Sequence, residues 1–160
     1  MAGLKAEQLE FYGALYIGCM LMEDGIKVIK YNIRLGDPET QILLPQLTSD
    51  FYQAIIDLLA CKNSKLTWQK KDYYLGVVVA ASGYPGNPQQ GISLPQLPTN
   101  VFYAGVENRN EELLSSGGRI FTIYDHAPTL KRAQKRVNAQ LAELDLADFY
   151  YREDIGFRDI

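Results

Sequence analysis

An apolar run from Phe11 to Met22, followed at once by the turn Glu23-Asp24-Gly25-Ile26 and an alternating strand, restricts this chain more than any other feature. The run is apolar at nearly every position, which suits a strand covered on both faces. Gly25 tolerates the positive φ that a tight turn requires. From Lys27 to Leu35 the side chains alternate. Ile29, Tyr31, Ile33 and Leu35 point one way, and Val28, Lys30, Asn32 and Arg34 the other. The pattern predicts an antiparallel hairpin with a core face and a second face carrying a row of polar groups. Cys19 falls on the apolar strand and reads as a small core hydrophobe.

Gly36-Asp37-Pro38-Glu39-Thr40-Gln41 comes directly after the second strand. Asp37 suits an N-cap and Pro38 a first helical residue, so a helix is expected to begin here, with Pro45 ending or kinking it. A second helix is expected from about Thr48 or Ser49, because Phe51, Ile55, Leu58 and Leu59 recur at helical spacing. It runs out near Cys61-Lys62-Asn63-Ser64. Beyond a shift in composition near residues 62–68, Tyr73 to Ala81 forms a strongly β-forming run. Residues 82–100 are proline-rich and read as loop. Short strands are expected at Val101–Val106 and Arg119–Tyr124, and a long helix from about Pro128 to Leu144. That helix should bury Leu130, Ala133, Val137, Leu141 and Leu144. The aromatic run Phe149-Tyr150-Tyr151 is expected to pack a last strand onto the sheet. The class is α+β, with one unit over residues 1–65 and a second over 66–160.

Composition removes whole classes of function. At 160 residues with 47% hydrophobic and 22% charged, the chain has ordinary globular make-up and enough length for a core without metal or disulfide staples. Two cysteines and one histidine exclude a four-cysteine zinc site and histidine-cluster metal sites. A formal charge of −3 argues against a general nucleic-acid surface. No apolar run approaches the roughly 20 residues of a membrane span, and no signal-peptide pattern opens the chain. A cytoplasmic protein without a membrane or nucleic-acid partner is the expectation.

The segment Lys30 to Gln41 carries the chemistry. It gathers an amide, a guanidinium and two carboxylates at one strand-to-helix junction. A helix N-terminus there favours a bound anion, and Arg34 offers a bidentate clamp for carboxylate or phosphate. The same residues also describe a solvated strand face followed by ordinary capping, and spacing alone leaves both readings open. Elsewhere the bland reading prevails. Gly83-Tyr84-Pro85-Gly86 and Gly117-Gly118 read as turns. Lys131, Arg132, Lys135 and Arg136 read as a solvated helix face. Asp125-His126 reads as a surface turn and Glu111-Glu112 as a polar loop.

Val28 to Leu44 resembles the Asn-Val-Arg-Phe-Gly-Asp-Pro-Glu-Thr-Gln segment of the phosphoribosylamine–glycine ligase family, also called glycinamide ribonucleotide synthetases. The resemblance continues in order through Ala81-Ser82-Gly83-Tyr84-Pro85-Gly86, Phe102-Tyr103-Ala104-Gly105, Gly117-Gly118-Arg119 and Phe149 to Gly156. It implies the end of an ATP-grasp unit, as hairpin plus helices, followed by a small antiparallel sheet with a long helix. It implies a ligase of purine biosynthesis that joins phosphoribosylamine to glycine with ATP and Mg²⁺, through an acyl-phosphate on glycine. Asn32 matches a magnesium ligand, and Arg34, Asp37 and Glu39 match the substrate wall. Lys30 stands where the family places a second metal ligand, a carboxylate, and an ammonium has no lone pair to give. The family is far longer, so the resemblance implies a C-terminal portion, inactive alone. Its partner is then the missing N-terminal portion or, through exposed apolar surface of the Phe11–Met22 strand, a second copy. The alternative is a shortened, catalytically inactive relative that persists as a folded binding or structural module.

Overall fold

The β-branched run Val77-Val78-Val79 sits in the middle of the strand that organises the better-packed part of the molecule. The computed structural model describes residues 2–159. In chain order the elements are α1 (Ala2–Ala6), β1 (Tyr16–Met22), β2 (Gly25–Asn32), α2 (Glu39–Leu43), α3 (Phe51–Leu59) and β3 (Tyr73–Ala81). They continue with β4 (Val101–Tyr103), β5 (Val106–Arg109), β6 (Glu112–Ser115), β7 (Arg119–Ala127), α4 (Leu130–Ala142) and β8 (Phe149–Tyr150). The class is α+β with antiparallel sheets, as the sequence indicated. No helix among the described residues is long and apolar enough to cross a membrane.

The chain divides into two compact units. One holds the residues up to Thr40 together with Leu47–Trp68; the other holds Gln41–Gln46 together with the residues from Gln69 onward.

In the second unit, a four-stranded antiparallel sheet runs in the order β4-β7-β3-β8. Leu75, Val77 and Val79 alternate inward from β3, and Phe121 and Ile123 are buried on β7. Helix α4 packs on β3 and β7 through Ala133, Val137 and Leu141, spaced four apart so that they line one stripe. Thr129 caps this helix by accepting a hydrogen bond from the Arg132 N–H, which places its start just after the expected Pro128. Phe149 on β8 is buried, as its aromatic character led one to expect. Strands β5 and β6 form a hairpin that the sequence reading missed. Its turn uses Asn110 and Glu111, both at positive φ, and Glu112 opens β6 rather than lying in a loop.

The first unit is built differently. Strands β1 and β2 pair as a two-stranded antiparallel hairpin, with an irregularity between Gly18 and Cys19. Neither face has the expected cover. Leu21 is 80% exposed and Ile33 78%, and Ile29 and Tyr31 also stand exposed. Cys19 is exposed too, not a core residue, because no layer lies over its strand among the described residues. Helix α2 is short and begins at Glu39, with a 3₁₀ turn at Leu44–Gln46 containing Pro45. Helix α3 begins later than expected. Asp50 caps it by accepting from the Gln53 N–H at 2.9 Å. Thr48 and Ser49 are instead tied to Thr67, through a hydroxyl pair at 2.9 Å and a Thr67 N–H donated to Ser49 Oγ at 3.1 Å.

Candidate functional site

Hairpin register assembles the site. Tyr16 lies opposite Asn32 and Gly18 opposite Lys30. Directly paired residues share a face, as do residues two apart on one strand, so all four stand on the same side of the hairpin. Gly18 leaves room for the lysine stem, since a Cβ built there would lie 2.9 Å from Lys30 Cγ. The Lys30 ammonium sits 5.8 Å from the centroid of the Tyr16 ring, within cation–π range. The Tyr16 hydroxyl donates to Glu39 Oε1 at 2.7 Å. By accepting that hydrogen bond, which only the protonated phenol can donate, Glu39 holds the Tyr16 pKa above the ordinary phenol value. Gly36, which is buried, leaves the space this pair needs, because a Cβ there would lie 2.5 Å from Glu39 Oε2 and 3.1 Å from Tyr16.

The face therefore presents an ammonium, a phenol, a carboxylate and an amide in sequence. The Asn32 side-chain nitrogen is buried and has no hydrogen-bond partner among the described residues. Lys30 has no carboxylate partner among the described residues. Arg34 is exposed, and its Nη1 donates to the Leu35 carbonyl at 2.8 Å. Asp37 is exposed at a cis Asp37–Pro38 bond. Of the residues the sequence singled out, the structure thus brings Lys30, Asn32 and Glu39 onto one constellation through Tyr16. Tyr16 itself was not among them. Helix α2, five residues long, is too short for the anion-binding helix terminus that the sequence invited.

The implied magnesium does not fit the residues present. Mg²⁺ takes near-octahedral oxygen coordination, usually with a carboxylate. Here Asn32 offers one amide oxygen beside an ammonium, and no group of three or more His, Cys, Asp or Glu among the described residues is arranged for a metal. Glu39 is already engaged by Tyr16.

The other candidates resolve into structure. The Tyr84 ring lies against Gly118, where a Cβ would strike it, and Gly105 and Gly117 bring their backbones together in the same way. Those glycines serve close approach rather than phosphate binding. Asp125 and His126 belong to strand β7, not to a surface turn. His126 Nδ1 pairs with Asp72 Oδ2 at 2.8 Å and its ring stacks on Tyr74. Asp125 accepts from Gln140 Nε2 at 2.9 Å. Both side chains of that pair are thus committed to neighbours in the unit. Lys131, Arg132, Lys135 and Arg136 are exposed on α4, and Arg136 also donates to the His126 carbonyl.

Comparison with known proteins gives these features a frame. Residues 1–40 match the family model described as phosphoribosylglycinamide synthetase, ATP-grasp (A) domain. Residues 74–158 match phosphoribosylglycinamide synthetase, C domain. The two matches, in this order, define the class: a segment matching an ATP-grasp (A) domain followed by one matching the C domain of the same synthetases. The chain belongs to the phosphoribosylglycinamide synthetase family. It is 47% identical to the phosphoribosylamine–glycine ligase of Lactococcus lactis, over 100% of this chain and 40% of that protein. It is 43% identical to the Streptococcus pyogenes ligase, over 100% of this chain and 39% of the relative. It is also similar to the crystal structure of the Thermotoga maritima phosphoribosylamine–glycine ligase, with a TM-score of 0.82 and 28% identity. That match covers 96% of this chain and 39% of the other. The chain thus spans about two-fifths of the length of the relatives it matches.

Proposed function

We propose that this chain is the C-terminal portion of a phosphoribosylamine–glycine ligase, acting in the ATP-dependent joining of 5-phosphoribosylamine and glycine in purine biosynthesis. In this reading residues 1–65 end the ATP-grasp domain, residues 66–160 form the small C-terminal domain, and the assembly works in the cytoplasm. The observation that carries it is the ordered agreement of the whole chain with ligase relatives, including the junction from Val28 to Leu44.

The chain's own residues then form one wall of a larger site. Arg34 and Asp37, both exposed, face substrate with Glu39, whose carboxylate is oriented by the Tyr16 hydroxyl. Arg34 supplies a guanidinium for a substrate carboxylate or phosphate. Asn32 supplies an amide to the polar group opposite it. ATP, when bound by the complete enzyme, supplies the phosphoryl group that activates the glycine carboxylate. No step is assigned to Mg²⁺ through position 30. Lys30 meets phosphate only as a point charge.

A second reading, a catalytically inactive relative kept as a folded module, is favoured by Lys30 and by a match to only about two-fifths of the relatives' length. Co-expression of this chain with the part of the Lactococcus lactis ligase that precedes the match separates the two. Nucleotide hydrolysis that requires both glycine and phosphoribosylamine is expected from the assembled pair and from neither piece alone, and Lys30→Glu is expected to raise it. An assembled pair that stays silent with lysine and with glutamate supports the module reading.

A further inference from the structure

Magnesium does not fit the polar face of the hairpin, and the reason points to a ligand of the opposite charge. Lys30 and Asn32 stand two apart on β2, facing Gly18 and Tyr16 on β1. Gly18 has no side chain, so the Lys30 stem lies across it, with Cγ 2.9 Å from where a Cβ would stand. The ammonium is thereby carried along the face to the Tyr16 ring, 5.8 Å from its centroid. Tyr16 is the cross-strand partner of Asn32, and residues paired in this way hold their Cβ atoms about 4.5–5.5 Å apart. Ammonium and amide therefore converge on one spot. The Asn32 Nδ2 is buried there and donates to no group among the described residues. Lys30 has no carboxylate partner among them either.

The surrounding charges agree with this. The hydrogen bond to Glu39 raises the Tyr16 pKa most, and the positive charge of Arg34 draws it partly back, so that guanidinium also lies near the ring. Lys30 and Arg34 thus bring two positive charges to Tyr16, whereas the Glu39 carboxylate is already engaged by the Tyr16 hydroxyl at 2.7 Å. A divalent cation asks for the reverse, oxygen lone pairs and negative charge. The groups present are donors: an ammonium has three N–H and a carboxamide two. A phosphate group carries up to about two negative charges on three strong acceptor oxygens, so it can span donors that come from separate residues. A carboxylate is matched best by the flat fork of a guanidinium, which neither Lys30 nor Asn32 supplies.

We propose that this face is a metal-free anion site, in which the Lys30 ammonium and the Asn32 amide nitrogen hold a phosphate group directly. Asn32 then serves through its nitrogen, not through the oxygen that a metal would take. Lys30 supplies with its own charge the positive centre that a divalent ion would otherwise provide. The site stands on this chain's residues and does not need the ligase reading.

The test is a titration of the full 160-residue chain with inorganic phosphate, in buffer stripped of divalent metal on a chelating resin and held at constant ionic strength. Nitrogen–proton NMR reads the Asn32 side-chain NH₂ pair, assigned by its loss in Asn32→Leu. The expected result is a saturable shift of that pair that added Mg²⁺ does not strengthen. Lys30→Gln and Asn32→Leu are each expected to weaken binding, read on the backbone amides of β2, at least about tenfold. Lys30→Arg should keep it within about threefold, because a guanidinium also meets phosphate. Lys27→Gln is the control: Lys27 lies on the same strand but pairs with Asp24 at 2.8 Å, and its loss should change nothing. Lys30 is exposed, so its substitution does not threaten the fold. A response seen only with Mg²⁺, one that stays linear with added phosphate, or one equally strong in Lys30→Gln overturns the proposal. So does acetate binding as tightly as phosphate. An assembled ligase without turnover refutes the function proposed above and leaves this site standing.

Discussion

Gly36→Ala tests whether the junction is shaped around Glu39. A methyl at this buried position lies 2.5 Å from Glu39 Oε2, and ordinary van der Waals contact begins near 3.4 Å. The carboxylate must therefore withdraw by about 0.9 Å or the backbone must shift. Glu39 is flexible at its tip, so the side chain gives way first. A withdrawal of that size lengthens the 2.7 Å bond from the Tyr16 hydroxyl to the limit of hydrogen bonding. The steric cost should sit at the low end of the overpacking range, about 1 kcal/mol. The titration of Tyr16 gives a second readout. Its pKa is raised chiefly by the hydrogen bond to Glu39, and it should fall back toward the ordinary value in the variant. A raised folded pKa means that the pair's contribution is fully present below the ordinary phenol pKa. It is lost as pH rises through the folded value. The gap in stability between parent and variant should therefore narrow above about pH 10. Urea denaturation and tyrosine-ring NMR, with Tyr16→Phe to assign the resonance, measure both effects. If Gly36→Ala costs the same in a Glu39→Ala background, or leaves the Tyr16 titration where it was, the slot was misread.

Lys30→Glu places a carboxylate two residues from Asn32 on one strand face. Mn²⁺ should then broaden amide resonances around position 32, and should not do so selectively in the parent chain. Asn32→Leu keeps the approximate shape and removes a buried amide nitrogen without a partner; the isolated chain should be unchanged or about 1 kcal/mol more stable to urea. Phe121→Ala empties a fully buried site on β7 and should cost about 3–5 kcal/mol, enough to abolish most of the cooperative unfolding of the second unit. Arg152→Ala should let Asp154 titrate in the ordinary carboxylate range, because the Arg152 hydrogen bond is what lowers its pKa. The pair's contribution is present above the unfolded carboxylate pKa and lost as pH falls through the lowered one. Being fully exposed, it should leave the urea midpoint at pH 7 unmoved.

How far the sequence reveals this protein differs between the units, for physical reasons. In the second unit the information is local: Val77 to Val79 specify a strand, and residues four apart specify the buried stripe of α4. The β5–β6 hairpin escaped because Asn110 and Glu111 fill the positive-φ turn positions without glycine. In the first unit, the start of α3 depends on Thr67, far along the chain, which engages the two residues that looked like caps. Tyr16 was hidden for another reason. Counting back from the Met22–Gly25 pair in regular register sets Tyr16 opposite Tyr31, on the wrong face. The irregularity at Gly18 and Cys19 moves the pairing by one residue and turns Tyr16 toward Lys30, Asn32 and Glu39.

Lys30 and Asn32 carry opposite kinds of information. Lys30 is exposed, its stem fits the gap at Gly18, and nothing in the fold resists an ammonium there. Agreement of backbone with a solved ligase is therefore silent about position 30, because lysine and glutamate are equally compatible with the same hairpin. Asn32 is the reverse. A buried amide nitrogen without an acceptor costs the folded chain about 1–3 kcal/mol, so stability gives no reason for asparagine at this point. An acceptor on the polar face, a water molecule or a bound group, would remove that cost.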